Sequence, residues 1–249
     1  MSNGKQQTDV LSLMEDLPCG FDLLSAAGQE NVIVIVTTGR RGLLNLIQNK
    51  CENFPVYLWN NGAILNPLIY ELVGKSGGGV VDAPFNMGPF PRYVLARALT
   101  LKGAKRVVFL DDDWDFPVGT ITLLFSKCVG RSMIGHWAFR FRSDRYSNRV
   151  RVADGEHAHY VGPGGCCVNS DLLRVDELFA CPEPYRFAAD DVYLSWVAFR
   201  HGFDLRGMAT QLFRPLEDDT SRPPMWPRAM PLKHSLLSRL VKLEPQWII

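Results

Sequence analysis

The sequence predicts an α/β fold, with a parallel sheet in its N-terminal half and a more antiparallel arrangement in its C-terminal half. A β-branched run, NVIVIVTTG at 31–39, ends at a glycine and is typical of a buried parallel strand. Apolar residues at helical spacing follow at 40–53, and a second strand, PVYLWNNG, follows at 55–62. Strand, helix and strand in this order form a βαβ unit, which places the two strands parallel to each other.

The same alternation continues along the chain. Prolines around residue 91 and a glycine at 103 delimit a predicted helix, because proline favours the first turn and glycine the end. A strand at 106–110 follows this helix, and Pro117 introduces another predicted helix at 118–129. These elements extend the sheet that the first βαβ unit begins.

The C-terminal half has a different pattern. Apolar and charged residues alternate over 133–152, which predicts exposed antiparallel strands joined by a turn near 143–148. The glycine-rich stretch 161–169 predicts a loop followed by a short strand, and we expect helices at 171–179 and 190–202.

We expect three segments in the chain. Residues 1–30 form a lead-in, residues 31–213 form a single catalytic domain, and residues 214–249 form a proline-rich tail that packs on this domain. A short helix is predicted in the tail near 233–242.

The composition is that of an ordinary soluble globular protein. Hydrophobic residues make up 47%, charged residues make up 21%, and the formal net charge is +1, which does not itself indicate a nucleic-acid or membrane partner. The 6 cysteines include no CxxC pair, so we expect buried, reduced thiols. The opening MSNGKQQTDV lacks the apolar core of a signal peptide. No apolar run approaches the roughly 20 residues that span a bilayer, so we expect a cytoplasmic location and no transmembrane segment.

Carboxylates crowd the end of the strand at 106–110. Asp111, Asp112 and Asp113 follow it directly, and Asp115 comes shortly afterwards. A hard divalent cation such as Mg²⁺ or Mn²⁺ would compensate this negative charge and would also bind phosphate. Because side chains alternate along a strand, Asp111 and Asp113 share one side and can share one ion, whereas Asp112 points away. The alternative is a polar turn whose aspartates cap the next helix.

Several segments in a fixed order resemble GT-A-fold glycosyltransferases of the inverting, family-two-like type. FLDDDWDFP resembles their DxD motif, with Asp111 and Asp113 as the acidic pair. VIVIVTTGRRG resembles their first nucleotide-binding strand, and YLWNNG resembles the second, with Asn60 and Asn61 where acidic residues are frequent. NMGPFPRYVLARAL and VGPGGCCVNSDLL resemble the donor-enclosing and acceptor-side segments. FAADDVYLSWVAFRHGF resembles their ED-type motif.

The resemblance spans roughly 31–207 and implies a GT-A, Rossmann-like mixed sheet flanked by helices. It implies a metal-dependent hexosyltransferase-like enzyme that uses a nucleotide-sugar donor, with UDP or GDP as the expected nucleotide. In this family the Mn²⁺ or Mg²⁺ ion lies between the DxD carboxylates and the donor diphosphate. His234 is a candidate third ligand, with His201 as a second choice, and either histidine could instead be a surface residue.

The resemblance also assigns roles on both sides of the bond that is transferred. Asp191 is the candidate base for the acceptor hydroxyl. From position alone, Asp190 could be a helix N-cap and Asp191 an ordinary first-turn acid. The donor-binding candidates are Thr37, Arg40, Arg41, Asn60, Asn61, Arg92, Asp111 and Asp112, and the acceptor-binding candidates are Gly164, Gly165, Asp190, Arg142 and Trp137.

Arginine and aromatic residues are interleaved over 136–151, a pattern that can contact phosphates and stack on bases. The acceptor could therefore be DNA that carries a hydroxymethylated pyrimidine, as in phage DNA modification, bound through Arg140–Arg151. The alternative is a saccharide, lipid-linked or small-molecule acceptor, with the segment as an exposed hairpin. Two other functions remain open: a nucleotidyltransferase, and a catalytically inactive nucleotide-sugar-binding protein.

Overall fold

A mixed β-sheet forms the centre of the molecule. The computed structural model describes residues 28–51, 53–208, 210–216 and 226–249, and within these ranges the central sheet has seven strands. The strands of the molecule are, in chain order, β1 (Asn31–Thr37), β2 (Val56–Asn61), β3 (Gly79–Ala83), β4 (Arg106–Asp111), β5 (Trp114–Asp115), β6 (Ser132–Gly135), β7 (Ala138–Phe141), β8 (Arg149–Arg151), β9 (Tyr160–Val161), β10 (Cys166–Asn169), β11 (Asp204–Gly207) and β12 (Arg214–Pro215).

Helices pack on both faces of this sheet. β1 shows why both faces are covered, since alternate side chains of a strand point to opposite sides and both sets are buried. Val32 and Val34 belong to one apolar cluster, and Ile33 and Ile35 belong to another. Within the described ranges the α-helices are α1 (Leu43–Lys50), α2 (Pro67–Lys75), α3 (Pro91–Leu101), α4 (Thr120–Lys127), α5 (Asp176–Phe179), α6 (Asp190–Arg200) and α7 (Trp226–Leu243).

The topology places several strand ends at one edge of the sheet. β1 pairs in parallel with β2 and β4, and β2 pairs in parallel with β3. β10 runs antiparallel between β4 and β6, and β11 is parallel to β6. This confirms the predicted α/β fold with a parallel N-terminal half and a more antiparallel C-terminal half. β7, β8 and β9 form a separate small antiparallel sheet, with its turn where the sequence predicts it.

The structure also contains elements that the sequence patterns do not assign. α2 and β3 lie between 62 and 89, although Asn66 and Pro67 carry a helix-start signal: the Asn66 side chain accepts a hydrogen bond from Leu68 N at 3.0 Å. The helix expected over 171–179 is divided into a 3₁₀ turn and the short α5.

The C-terminal part of the chain is more regular than expected. The short helix predicted near 233–242 is part of the longer α7, which has Pro231 within it. Leu236, Leu237 and Leu240 form its buried face. The predicted lead-in lies almost wholly outside the described residues.

Cys51, Cys128, Cys166, Cys167 and Cys181 are buried free thiols, as predicted. Cys19 lies outside the described residues. Among the helices of the described ranges, none combines the length and apolarity needed to cross a bilayer.

Candidate active site

A cavity of about 740 Å³ lies at the edge of the sheet where β1, β2 and β4 end. Its walls come from the residues after β1 and β4, the starts of α3 and α6, and one turn of α7. Ligands of open α/β sheets bind at the carboxyl ends of strands, so the cavity has the position expected of a binding site.

The carboxylates of Asp111 and Asp113 face this cavity from the end of β4. Asp111 Oδ1 accepts a hydrogen bond from Arg92 Nη1 at 2.9 Å, and Asp113 Oδ2 lies 3.3 Å from Arg40 Nη1. Asp113 Oδ1 is buried and has no hydrogen-bond partner among the described residues. Burial, followed by the negative charge of Asp111, raises the pKa of Asp113 to about 6. The two arginines therefore do not fully compensate the negative charge of Asp111 and Asp113, and a further cation would be stabilised beside them.

Asp112 lines the same cavity as its two neighbours and shares Arg40 with Asp113, so it does not point away as the alternation of side chains predicts. Its Oδ2 accepts a hydrogen bond from Thr37 Oγ1 at 2.5 Å, and its Oδ1 lies 3.3 Å from Arg40 Nε. Burial raises the pKa of Asp112, and the Thr37 and Arg40 contacts oppose that shift. Asp112 thus fastens the end of β4 to the loop after β1. Asp115 lies outside the cavity wall and pairs with Lys50 at 3.1 Å.

Two glycines lie where the loop before β10 meets β4. A Cβ atom on Gly164 would lie 2.1 Å from Asp111 Oδ2, so the carboxylate would have to move to admit it. Gly164 lines the cavity, so its backbone closes directly over the carboxylate. Gly165 has a φ of +94°, and its Cβ would lie 2.5 Å from His136 Nδ1. Gly165 is outside the cavity wall, and its glycine requirement is structural.

A second acidic pair, Asp190 and Asp191, faces the cavity from the first turn of α6. Both residues are buried, at 4% and 7% exposure. Tyr93 Oη donates to Asp190 Oδ2 at 2.9 Å. Burial, followed by the charge of Asp191, raises the pKa of Asp190 to about 7. Asp190 is not the N-cap, because Ala189 occupies that position and no side chain caps the helix, whereas Asp191 does lie in the first turn as the positional alternative has it.

Asp191 is surrounded by donors. Its Oδ2 accepts hydrogen bonds from Tyr160 Oη at 2.5 Å and from Lys233 Nζ. Its Oδ1 accepts from Val192 N at 2.8 Å. Lys233 lies on α7 and lines the cavity, and the sequence analysis did not identify it. Only the neighbouring His234 was selected there, by analogy.

The histidines nominated as third metal ligands do not reach the carboxylates. His234 lies outside the cavity wall, with Nδ1 2.9 Å from Met230 O and Nε2 3.2 Å from Ser147 Oγ. His201 Nε2 lies 3.0 Å from Glu177 Oε2 on the side of α5. We correct the predicted ligand set accordingly.

Asn61 lines the cavity, and Asn60 lies behind it. Asn61 Oδ1 accepts from Met87 N at 3.1 Å, and Asn61 Nδ2 donates to Gly88 O at 2.9 Å, so Asn61 shapes the loop before α3. Asn60 Nδ2 donates to Asp82 Oδ1 at 2.7 Å and is not part of the cavity wall. Asn60 therefore supports the strand end without facing a ligand.

The remaining candidates divide between the cavity and the surface. Trp137 lines the cavity beside Trp114, with ring centroids 6.1 Å apart. Arg41 and Arg142 are exposed and lie outside the cavity wall. The structure therefore does not bring either arginine to the site.

The arginines of 136–151 mainly contact their own fold. Arg149 stacks over the Tyr146 ring at 4.0 Å, and Arg151 stacks over the Trp137 ring at 4.8 Å. Arg140 Nε donates to His157 O at 2.8 Å. Much of the predicted phosphate-binding pattern thus serves the packing of the small sheet.

The side chains that could ligate a metal ion decide what kind of metal site is feasible. Within the described ranges, no group of three or more His, Cys, Asp and Glu side chains is placed to hold a metal ion by itself. Asp111 and Asp113 nevertheless provide oxygen ligands, and the unpartnered Oδ1 of Asp113 is a vacant acceptor. Such a pair fits a hard cation that completes its shell with phosphate and water oxygens, as Mg²⁺ commonly does.

Comparisons with known proteins place the fold. No protein-family model and no curated protein sequence matches the chain. The mannosyltransferase PcManGT from Pyrobaculum calidifontis, in complex with GDP-Man and Mn²⁺, superposes with a TM-score of 0.55 at 12% identity, over 96% of this chain and 79% of that chain. This likeness confirms the predicted GT-A-type fold.

Other solved structures are more distant. S. aureus TarS 1–349 in complex with UDP has a TM-score of 0.48 at 16% identity, over 74% of this chain and 59% of that chain. A putative glucose-1-phosphate thymidylyltransferase from Bacillus anthracis has a TM-score of 0.48 at 10% identity, over 82% of this chain and 95% of that chain. The chain thus spans well under two thirds of the TarS fragment, and neither likeness carries weight for function.

Proposed function

We propose that the chain is a metal-dependent glycosyltransferase that moves a sugar from a nucleoside-diphosphate sugar to an acceptor hydroxyl, with inversion. The observation that carries this proposal is that carboxylates from the end of β4 and from the start of α6 face the same cavity. The carboxylates after β4 can bind a divalent cation, and a carboxylate at the start of α6 can accept a proton. Metal-dependent glycosyl transfer with inversion requires a cation site and a proton acceptor. The complex of PcManGT with GDP-Man and Mn²⁺, on a similar fold, supports this interpretation.

The β4 side is the proposed donor site. Asp111 and Asp113 would hold Mn²⁺ or Mg²⁺, which when bound neutralises the charge that develops on the departing diphosphate. Arg92 orients Asp111 through their 2.9 Å contact, and Arg40 orients Asp113. The nucleoside, UDP- or GDP-linked, would then lie along Thr37, Asn61 and the loop before α3, which share the cavity wall.

The α6 side is the proposed acceptor site. The acceptor oxygen attacks the anomeric carbon, the bond from that carbon to the diphosphate oxygen breaks, and Asp191 takes the hydroxyl proton. Asp190 contacts the acceptor beside it. Trp114 and Trp137 offer aromatic faces on which a sugar ring can stack. Attack from the side opposite the leaving diphosphate inverts the anomeric centre.

We propose a saccharide or small-molecule acceptor in preference to DNA, because Arg140, Arg149 and Arg151 contact their own fold. Arg140, Arg142, Arg145 and Arg151 are all exposed, and Arg142 and Arg145 take no part in the contacts just named, so DNA could still contact them. If DNA is the acceptor, the protein retards DNA in a salt-sensitive gel-shift assay, and reversal of charge at both positions abolishes the shift. The buried free thiols suit a reducing compartment, so we propose a cytoplasmic location.

A thermal-shift panel of nucleotide-sugars, with and without Mn²⁺, tests the proposed function. A donor present at a hundredfold excess over its dissociation constant stabilises the native state by about 2.7 kcal/mol. The proposal expects stabilisation by a UDP- or GDP-sugar that depends on Mn²⁺, and release of nucleoside diphosphate on turnover.

Product analysis of turnover, run beside the thermal-shift panel, has two outcomes that would contradict the proposal. Release of pyrophosphate from a nucleoside triphosphate and a sugar phosphate would identify a nucleotidyltransferase. Donor binding without hydrolysis or transfer would identify an inactive binding protein.

A further inference from the structure

Lys233 lies on α7, in the part of the chain after the predicted catalytic domain, yet its ammonium group reaches the cavity. We infer that Lys233 is a positioning residue that keeps Asp191 ionised and oriented, and so sets the lowest pH at which this site can take a proton. Its catalytic meaning rests on the proposed function, whereas the contact itself can be tested without any substrate.

The contact between Lys233 and Asp191 is shielded from water. Lys233 Nζ donates to Asp191 Oδ2, and the two side chains are only 13% and 9% exposed. Solvent and salt screen such a pair much less than a surface ion pair. Each charge therefore depends strongly on its partner.

The arrangement also directs the carboxylate. Lys233 and Tyr160 both donate to Asp191 Oδ2, whereas in the described part of the chain only Val192 N donates to Oδ1. A carboxylate oxygen has two lone pairs. Oδ1 therefore retains an acceptor position for a hydroxyl in the cavity, which Asp191 lines.

Two adjacent buried carboxylates cannot both ionise at low cost unless a cation stabilises one of them. Asp190 accepts its hydrogen bond from the neutral hydroxyl of Tyr93, and burial and the charge of Asp191 raise the pKa of Asp190 to about 7. Lys233 is bonded to Asp191 and not to Asp190. The lysine thus places its positive charge directly against Asp191 and only at longer range from Asp190.

Among the described residues, no other cation is bonded to Asp191, although the charge of Arg92 acts on Asp190 and opposes the rise in its pKa. Burial, and next the charge of Asp191, raises the pKa of Tyr160 well above its ordinary value, so this residue is a neutral donor. Arg92 is bonded to Asp111, and Arg149 stacks on Tyr146. The titratable and charged groups around Asp190 and Asp191 are Lys233 on α7, Arg92 and Tyr93 on α3, Tyr146 and Arg149 in the β7–β8 hairpin, Tyr160 on β9, and Cys181 after α5.

The test compares Lys233→Met, Lys233→Gln and Lys233→Arg with Lys242→Met, a matched change at an exposed lysine near the end of the same helix. The pH dependence of hydrolysis is measured with Mn²⁺ and with UDP-glucose and GDP-mannose as probes. We expect the acid limb of K233M and K233Q to move to higher pH by about one to three units, the usual effect of one adjacent opposite charge on a carboxylate.

K233R should return the acid limb of the pH profile to its wild-type position, because arginine keeps the positive charge. K242M should leave the acid limb unchanged. A uniform loss of rate at every pH in K233M and K233Q would overturn the inference, since that is the effect of a merely structural role. A wild-type profile in K233Q would also overturn it, because glutamine keeps a hydrogen-bond donor without the charge.

A second readout needs neither metal nor donor. Carboxyl ¹³C NMR spectra of aspartate-labelled protein, assigned with Asp191→Asn, follow protonation across pH. We expect Asp191 to take up its proton at a higher pH in K233M and K233Q than in the wild type and K233R. Identical titrations overturn the inference even if the enzyme is active. A shifted titration in a protein that turns over no nucleotide-sugar of the thermal-shift panel upholds the contact and contradicts the proposed function alone.

Discussion

The carboxylates after β4 and those at the start of α6 face the same cavity but differ in exposure and in partners. The Asp111 and Asp113 side chains are 35% and 36% exposed and are held by arginines. The Asp191 side chain is 9% exposed and is held by a tyrosine hydroxyl and a lysine, and Asp190 is bonded to another tyrosine. The first group keeps an unpartnered oxygen on Asp113.

This difference shows how one residue type can serve two kinds of chemistry. A half-exposed pair with a vacant acceptor can admit a cation and its water. A buried pair of carboxylates held by fixed hydrogen-bond donors can take up or release a proton while its hydrogen-bond partners stay in place. The following predictions would break or sharpen this comparison.

Asp191→Asn should have the largest effect on turnover. Asparagine keeps the shape of the side chain but cannot take the acceptor proton, so we expect kcat to fall by about 10²–10⁴-fold, the typical contribution of a general base. Donor KM should stay close to the wild-type value. Steady-state transfer or hydrolysis assays measure both, and Asp176→Asn, at an exposed aspartate of α5, is the control. An unchanged kcat would remove Asp191 from the mechanism.

Asp113→Ala should abolish the response to metal. Loss of the oxygen ligands removes the electrostatic stabilisation of the leaving diphosphate, which corresponds to a decrease of about 10²–10³-fold in kcat. The matched control is Asp115→Ala, which alters an aspartate two residues further along, in β5 and outside the cavity wall. If both variants lose activity equally, the loss reflects folding of the turn and not a metal site.

Gly164→Ala should displace Asp111, because the added Cβ would lie 2.1 Å from its carboxylate oxygen. Overpacking of this kind costs about 1–3 kcal/mol, so we expect a measurable decrease in melting temperature together with weaker Mn²⁺ binding. Gly74→Ala is the control, since its Cβ would meet nothing within 4 Å. Unchanged Mn²⁺ affinity in G164A would separate Asp111 from the cation site.

Asp190→Asn should alter stability in a pH-dependent way. Burial raises the pKa of Asp190 from 3.8 to about 7, so the folded state binds this proton more tightly than the unfolded state. Its contribution is fully present below the unfolded value and is lost as pH rises towards the folded value. The change is on the order of 1.4 kcal/mol per unit of pKa difference.

Urea unfolding without metal, at a series of pH values, measures this contribution. The free energy of unfolding of the wild type should decrease over the interval relative to that of D190N, whose neutral amide does not titrate. Parallel curves for the two proteins would show that Asp190 has no raised pKa.

Local patterns were sufficient to predict β1, β2 and β4 of the parallel half and the carboxylates that follow β4. β1 and β4 can be predicted from their apolar, β-branched runs, because a strand that is buried on both faces must be apolar throughout. α2 and β3 were missed although Asn66 and Pro67 mark the start of α2. The start of α2 was therefore marked in the sequence by its N-cap asparagine and the proline after it.

The composition of the acidic α6 site could not be predicted from local patterns. Lys233 lies 42 residues from Asp191 in sequence, and only tertiary packing brings the two together. Successive helix residues point about 100° apart, so selecting His234 instead of Lys233 chose a side chain on a different face. Likewise, Arg149 and Arg151 read as a surface pattern, but the fold turns them onto its own aromatic rings.

The central claim is that the end of β4 binds a divalent cation together with a nucleoside diphosphate. Isothermal titration calorimetry of UDP and GDP, with and without Mn²⁺, tests it directly on the wild type and on D113A. The account predicts binding of one nucleotide that requires Mn²⁺ in the wild type and disappears in D113A. Equal affinity without Mn²⁺, or Mn²⁺-dependent binding that survives in D113A, would contradict it.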